Sequence, residues 1–149
     1  MRYFAYGSNL SSQYMRRTCP SATFIMKADL PNFGVEFRHY SEKRQGGISS
    51  IVEAPGKMVR GVLFEIRVEE IEELDIVESV PEGLYRRDTF LVMGEDGNWH
   101  EAELYRVTNP RGPYPPAKGY LDLMIEGARE HGLDASYVEE LVSLRRSLE

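Results

Sequence analysis

The chain has 149 residues, a length that fits one hydrophobic core, and we expect a single domain over residues 1–149. Hydrophobic residues make up 42% of it, which excludes a disordered chain. The formal net charge of −6, without an extended basic run, argues against nucleic acid or an anionic membrane as a partner, and no apolar stretch reaches bilayer length. Cys19 is the only cysteine, so no internal disulfide can form and we expect a cytoplasmic protein.

The first predicted element is a short aromatic strand, residues 3–6, that leads into a turn. Gly7, Ser8 and Asn9 favour a sharp turn at the start of a helix that begins near Ser12. A turn of this kind can direct several unpaired backbone N–H groups at one point, where they can hold a carboxylate or an oxyanion. From the residues alone, an ordinary buried strand with a capped turn remains an alternative.

The next segments combine strands with one acidic helix. β-Branched and aromatic residues, with breaks between them, predict strands at residues 23–28, 33–40, 48–52 and 59–66. Val68, Ile71 and Leu74 then recur at three-residue spacing among glutamates. This spacing predicts a short surface helix that ends near Glu78, ahead of a proline and a glycine.

The last third of the chain predicts a hairpin and two helices. Residues 84–93 and 99–107 flank a glycine-rich turn, and the proline-rich residues 108–118 indicate a stiff excursion. The first closing helix carries apolar residues on one face, and the second is predicted to begin at the capping-box pattern of Ser136 and Glu139. Many short strands without regular strand–helix alternation indicate the α+β class.

No pattern in the sequence indicates a metal or a cofactor. The three histidines are scattered, and the chain lacks the glycine-rich loops of nucleotide sites and the frame of a hydrolase nucleophile elbow. We therefore expect no metal and no cofactor. Any chemistry has to come from a carboxylate, backbone donors and the hydroxyl groups of tyrosines.

Four ordered blocks resemble the γ-glutamylcyclotransferase-like family, which is related to avirulence-induced-gene-like proteins. The blocks are YFAYGSNL at residues 3–10, GGISSI at 46–51, LDIVESVPEGLY at 74–85, and Tyr120 followed by residues 127–133. The resemblance implies a small mixed β-barrel with surrounding helices and a pocket at one end. One departure is Ser79, which stands where the family usually has glycine.

The resemblance also implies an activity and a set of site residues. The family converts an L-γ-glutamyl amino acid or amine into 5-oxoproline and the free amino acid or amine. Glu78 matches the catalytic carboxylate, which acts as general acid and base. The substrate-binding positions carried over from the family motifs are Tyr6, Gly7, Ser8, Asn9, Leu10, Tyr85 and Tyr120. The family's glutathione-specific branch typically has a hydrophobic residue in place of Asn9, so that branch is disfavoured.

Several alternatives stay open at this stage. By composition alone, Glu78 is one more solvated acid at a helix end, and the tyrosines are core residues. Asp75 is expected to be a helix-end or turn partner, while Arg86 and Arg87 either attract a substrate carboxylate or face solvent. A non-catalytic ligand-binding or regulatory domain of the same fold is the alternative function. We expect a small-molecule partner, and a homodimer is possible.

Overall fold

The structure is a computed structural model that describes all 149 residues. Its five strands are β1 Arg2–Ala5, β2 Thr23–Ser41, β3 Gly46–Glu65, β4 Tyr85–Gly94 and β5 Trp99–Val107. Its four α-helices are α1 Ser12–Thr18, α2 Val68–Val77, α3 Lys118–Glu130 and α4 Ala135–Arg146, and a 3-10 turn covers Ser8–Leu10. None of the helices has the length and apolar character needed to cross a bilayer.

The five strands form a closed barrel in the order β1-β3-β2-β4-β5. Neighbouring strands are antiparallel except at one seam, where β1 runs parallel to β5 and pairs Tyr3 with Glu103. This parallel seam makes the barrel mixed. The α+β class and the small mixed barrel expected from the resemblance are therefore confirmed.

Strand β1 and the residue after it separate two hydrophobic cores. Phe4 and Tyr6 belong to the cluster inside the barrel, whereas Tyr3 and Ala5 belong to the larger cluster beneath the helices, which includes Leu121 of α3. This division follows from the alternation of side chains along an extended chain. The turn after β1 therefore starts at the end of the barrel, between the two cores.

The four separate strands predicted between residues 23 and 66 are wrong, because the structure has two long ones. Asn32 and Gly56 interrupt them at facing positions, with φ angles of 67° and 84°. The Gly56 N–H donates to the Asn32 side chain at 3.1 Å, so both strands bend together and the ladder resumes beyond the bend. The local sequence predicts strand ends at these two positions, but in the structure they are bends within one hairpin.

The start of α4 also differs from the prediction. Asp134 caps this helix by accepting hydrogen bonds from the N–H groups of Ser136 and Tyr137 at 3.0 and 3.3 Å. The predicted capping box of Ser136 and Glu139 is wrong, because the Asp134 carboxylate already satisfies the donors of the first turn. Helix α1 is capped by Ser11, whose Oγ accepts a hydrogen bond from the N–H of Tyr14 at 3.3 Å.

The proline-rich segment is a strap that runs along the barrel and delivers α3 to its end. The N–H of Gly47 donates to Pro115 O at 2.8 Å, and the N–H of Ala117 donates to Gly47 O at 2.9 Å. A Cβ atom on Gly46 would lie 2.5 Å from the Cα of Ala117. Glycine at this position therefore lets the strap approach closely enough to bring Tyr120, in the first turn of α3, against the turn after β1.

Candidate active site

A small pocket opens at the end of the barrel where β1 leads into its turn. It encloses about 260 Å³ and collects residues from β1 and its turn, β3, the end of α2, β4, β5 and α3. The residues that line it are Tyr3, Tyr6, Gly7, Ser8, Asn9, Ser49, Glu78, Tyr85, Tyr105 and Tyr120. All but one of the site residues implied by the resemblance therefore meet around one space.

Leu10 is the exception, since it does not line the pocket. Its side chain is fully buried in the core beneath the helices. A Cβ atom on Gly127 would lie 2.2 Å from the Leu10 carbonyl carbon, and His131 Nε2 donates to the Leu10 oxygen at 3.0 Å. In this structure Leu10 anchors the turn to α3.

Glu78 is held at the C-terminal end of α2 by a Schellman motif. The N–H of Ser79 donates to Ile76 O at 3.0 Å, and the N–H of Val80 donates to Asp75 O at 2.9 Å. This motif needs a left-handed residue after the C-cap, and Ser79 adopts a φ of 54° there. The serine therefore keeps the backbone shape that glycine usually provides, at the strain of a side chain in the left-handed region.

The Glu78 carboxyl has an unusual environment for an acid. Burial against the barrel end raises its pKa from 4.5 to about 7. Two groups offset part of this effect, because Asn9 Nδ2 donates to Glu78 Oε1 at 3.3 Å and the positive charge of Arg44 lies nearby. A carboxyl with a pKa near 7 can both accept and donate a proton at neutral pH.

Asn9 connects this carboxyl to the wall of the pocket. Its Nδ2 also donates to the Tyr3 hydroxyl at 2.9 Å, so the amide bridges Tyr3 and Glu78. The Tyr3 ring in turn packs edge-on against Tyr105, with ring centroids 5.8 Å apart. The Asn9 side chain therefore positions the carboxyl, while its backbone belongs to the turn that borders the pocket.

The remaining tyrosine hydroxyls of the pocket are bonded within the protein. Tyr85 donates to Ser49 O at 2.6 Å, and the Tyr120 hydroxyl meets Ser49 Oγ at 2.7 Å. Tyr6 donates to the Tyr105 carbonyl at 2.5 Å. Burial raises the pKa of Tyr6, Tyr85 and Tyr120, so these phenols stay neutral and the wall carries no charge besides that of Glu78.

Asp75 and Arg87 form a support behind this wall. Asp75 Oδ1 accepts from the Tyr105 hydroxyl at 2.6 Å and from Arg87 Nε at 2.9 Å. Arg87 also pairs with Glu103. Arg86 is exposed and pairs with an acid on its own strand, so neither arginine lines the pocket.

Gly7 lies where the turn passes the side chain of Tyr120 from α3. A Cβ atom at this position would be 2.4 Å from the Tyr120 hydroxyl oxygen and 2.7 Å from Ser49 Oγ. Any side chain would displace the phenol from the pocket wall. Close approach of the backbone is therefore the reason for glycine here.

Sequence reasoning missed four residues at or near the site: Tyr3, Ser49, Tyr105 and Arg44. Ser49 lies in the GGISSI block and Tyr3 in the YFAYGSNL block, so each block contained a signal for its residue. Tyr105 and Arg44 lie outside all four blocks, and nothing near them in sequence points to the site. No three His, Cys, Asp or Glu side chains are grouped in a way that could hold a metal ion.

Comparisons with known proteins show the family to which the chain belongs. The sequence model of the AIG2-like family matches residues 58–141. Gamma-glutamylcyclotransferases of Mus musculus and Homo sapiens are 34% and 33% identical to this chain over 146 residues, which cover 95% of it and 77% of each relative. A solved structure of a gamma-glutamyl cyclotransferase matches with a TM-score of 0.90 at 32% identity, over 95% of this chain and 85% of the other.

A more distant structure shares the fold. YkqA from Bacillus subtilis matches with a TM-score of 0.83 at 22% identity, over 99% of this chain and 54% of the other. At that identity the match shows the fold alone. The family match, the curated relatives and the solved structures together place the chain in the AIG2-like family, among its γ-glutamylcyclotransferase-like enzymes.

Proposed function

We propose that this protein is a γ-glutamyl cyclotransferase that converts an L-γ-glutamyl amino acid or amine into 5-oxoproline and the free amino acid or amine. The observation that carries the proposal is the Glu78 carboxyl, which has a pKa of about 7 and borders a small tyrosine-lined pocket. The 34% identity to a gamma-glutamylcyclotransferase over most of the chain supports the same assignment. Glu78 serves as the general acid and base.

The reaction is an intramolecular aminolysis with proton transfers at both nitrogens. The Glu78 carboxylate accepts a proton from the α-ammonium group, which frees the nitrogen lone pair to attack the γ-carbonyl carbon. A carbon–nitrogen bond forms and closes the five-membered ring. The Glu78 carboxyl then gives this proton to the leaving nitrogen as the bond between that nitrogen and the γ-carbon breaks. The regenerated carboxylate takes the remaining extra proton from the ring nitrogen, and this proton passes to the released amine.

The shape of the pocket assists this reaction by orientation. Tyrosine rings and the turn after β1 surround the pocket, and a substrate held there with its nitrogen near its carbonyl loses much of the entropic barrier to ring closure. The 3-10 turn uses the N–H groups of Leu10 and Ser11 for its own bonds. Those of Ser8 and Asn9 start the turn and are the donors we assign to the substrate carboxylate or the oxyanion.

The decisive experiment measures 5-oxoproline released from a panel of γ-glutamyl compounds. Glu78→Gln is expected to fold normally and to lower turnover by about a hundred- to ten-thousand-fold, because it removes general acid–base catalysis but keeps hydrogen bonding. Glu82→Gln is the matched control, since it removes an exposed carboxylate near Glu78 with no assigned role. Near-wild-type turnover of Glu78→Gln, or loss in Glu82→Gln, contradicts the assignment.

A second measurement separates cyclisation from hydrolysis. N-acetylation of a substrate blocks its α-amino group, so the acetylated compound should bind without turnover. Release of the leaving group from the acetylated compound at the normal rate would mean that water is the nucleophile. Binding of γ-glutamyl compounds without turnover of any of them would favour the non-catalytic alternative.

A further inference from the structure

Arg44 is a half-buried cation beside the proposed reaction pocket. It lies in the turn between β2 and β3, and its guanidinium carbon is 5.1 Å from the centroid of the Tyr120 ring and 5.4 Å from that of Tyr14. Its Nη2 also donates to the Tyr14 hydroxyl. The two rings fix the guanidinium by cation–π contact next to a wall of the pocket.

This guanidinium forms no ion pair, and its charge acts on Glu78 only from beyond ion-pair distance. None of the ion pairs in the structure includes Arg44, although the chain has an excess of acidic residues. Arg60, Arg87 and Arg145, by contrast, each pair with a carboxylate. A half-buried arginine that is held in place and left unpaired retains its capacity to bind a carboxylate from outside the protein.

An open cleft with only positive charge adjoins Arg44. It is wider than the reaction pocket, and a second cation, Lys118, also lines it. The residues that line it are Tyr40, Arg44, Gln45, Gly46, Pro115, Pro116, Lys118, Gly119 and Leu148. No acid borders this cleft, so a carboxylate that enters it meets attraction without repulsion.

We propose that Arg44 determines specificity for the leaving group by binding a carboxylate on the part of the substrate that is released. This inference rests on the proposed function. The γ-glutamyl group occupies the small tyrosine-lined pocket, and the leaving group extends past Tyr120 into the cleft, where Arg44 meets its carboxylate. Leaving groups with a carboxylate are therefore preferred over uncharged amines of the same size.

The test uses two substrates that differ only in that carboxylate: γ-glutamyl-alanine and γ-glutamyl-ethylamine. The kcat/KM for 5-oxoproline formation is measured for both with wild type, Arg44→Gln and Lys43→Gln. Lys43→Gln is the matched control, because it removes the same charge from the exposed neighbouring residue. We expect wild type to favour the alanine compound by about ten- to a hundred-fold, the effect of one hydrogen bond to a charged group.

The expected result is a change in the ratio of the two kcat/KM values. Arg44→Gln should lose most of the preference, because the alanine compound loses the partner of its carboxylate, whereas the effect of the lost charge on the pKa of Glu78 acts on both compounds alike. Lys43→Gln should keep the preference. A preference that Arg44→Gln leaves unchanged, whether or not both compounds are slowed, would overturn the inference. Arg44→Lys should retain part of the preference, because it keeps the charge. If wild type releases 5-oxoproline from neither compound nor from any other γ-glutamyl compound, the proposed function itself fails.

Discussion

The raised pKa of the half-buried Glu78 should make the stability of the protein depend on pH in a way that one substitution removes. Its pKa is 4.5 in the unfolded chain and about 7 in the folded protein, so the folded state holds the proton more tightly. Below pH 4.5 both states are protonated and no penalty arises. As the pH rises through 7, the folded protein has to bury a carboxylate and loses about 3 kcal/mol of unfolding free energy.

Glu78→Gln cannot ionise and should escape this loss. About 2.5 kcal/mol of this loss in unfolding free energy develops between pH 5 and pH 8. The rest has already developed by pH 5, where the unfolded carboxyl is mostly ionised. The variant should therefore gain stability relative to wild type by about that amount over this interval. Direct effects of the amide on hydrogen bonding are similar at both pH values and cancel in the comparison.

The measurement is urea unfolding followed by far-ultraviolet circular dichroism at pH 5, 6, 7 and 8. Glu82→Gln serves as the control for removing an exposed carboxylate, and its difference from wild type should vary little with pH. A difference between Glu78→Gln and wild type that is the same at pH 5 and pH 8 would refute the burial of the carboxyl as the cause of its raised pKa. The explanation would also be refuted if wild type were more stable, relative to Glu78→Gln, at pH 8 than at pH 5.

Three further predictions concern the turn and the end of α2. Ser79→Gly should raise the free energy of unfolding by about 0.5 to 1 kcal/mol, because it relieves a φ of 54°; an unchanged midpoint in thermal denaturation would contradict this. Asn9→Leu removes a donor to Glu78, so the acidic limb of the kcat/KM profile should move to higher pH, and an unmoved limb would show that the amide does not influence the carboxyl. Gly7→Ala places a Cβ atom 2.4 Å from the Tyr120 hydroxyl, so turnover should fall while the circular dichroism spectrum is kept; full turnover would argue against the close approach.

The sequence predicts an element well where local pattern and tertiary pairing agree. Helix α2 and the β4–β5 hairpin lie within a residue or two of their predicted bounds, because their apolar spacing and turn residues act locally. The β2–β3 hairpin does not, since Asn32 and Gly56 interrupt the pattern of each strand and only their facing positions keep the ladder continuous. The parallel seam of β1 with β5 joins distant segments and has no local signal.

The site divides in the same way. The sequence predicts two parts of the pocket, Glu78 and the turn after β1, because each lies in a short motif that recurs within a family. Tyr105 and Arg44 were not found, because an aromatic residue on a strand and a basic residue in a turn are common everywhere. Their meaning depends on what the fold places beside them, which is Asp75 for the first and the Tyr120 ring for the second.

The bonded hydroxyls of the pocket wall have a consequence for how such an enzyme can change its substrates. Tyr6, Tyr85 and Tyr120 each engage an acceptor or partner within the protein, so replacing one of them breaks a buried hydrogen bond as well as reshaping the pocket. The open cleft at Arg44 contains none of these three bonded tyrosines. We therefore expect substitutions in that cleft to change which amine is released at less cost to the pocket wall than substitutions of these tyrosines.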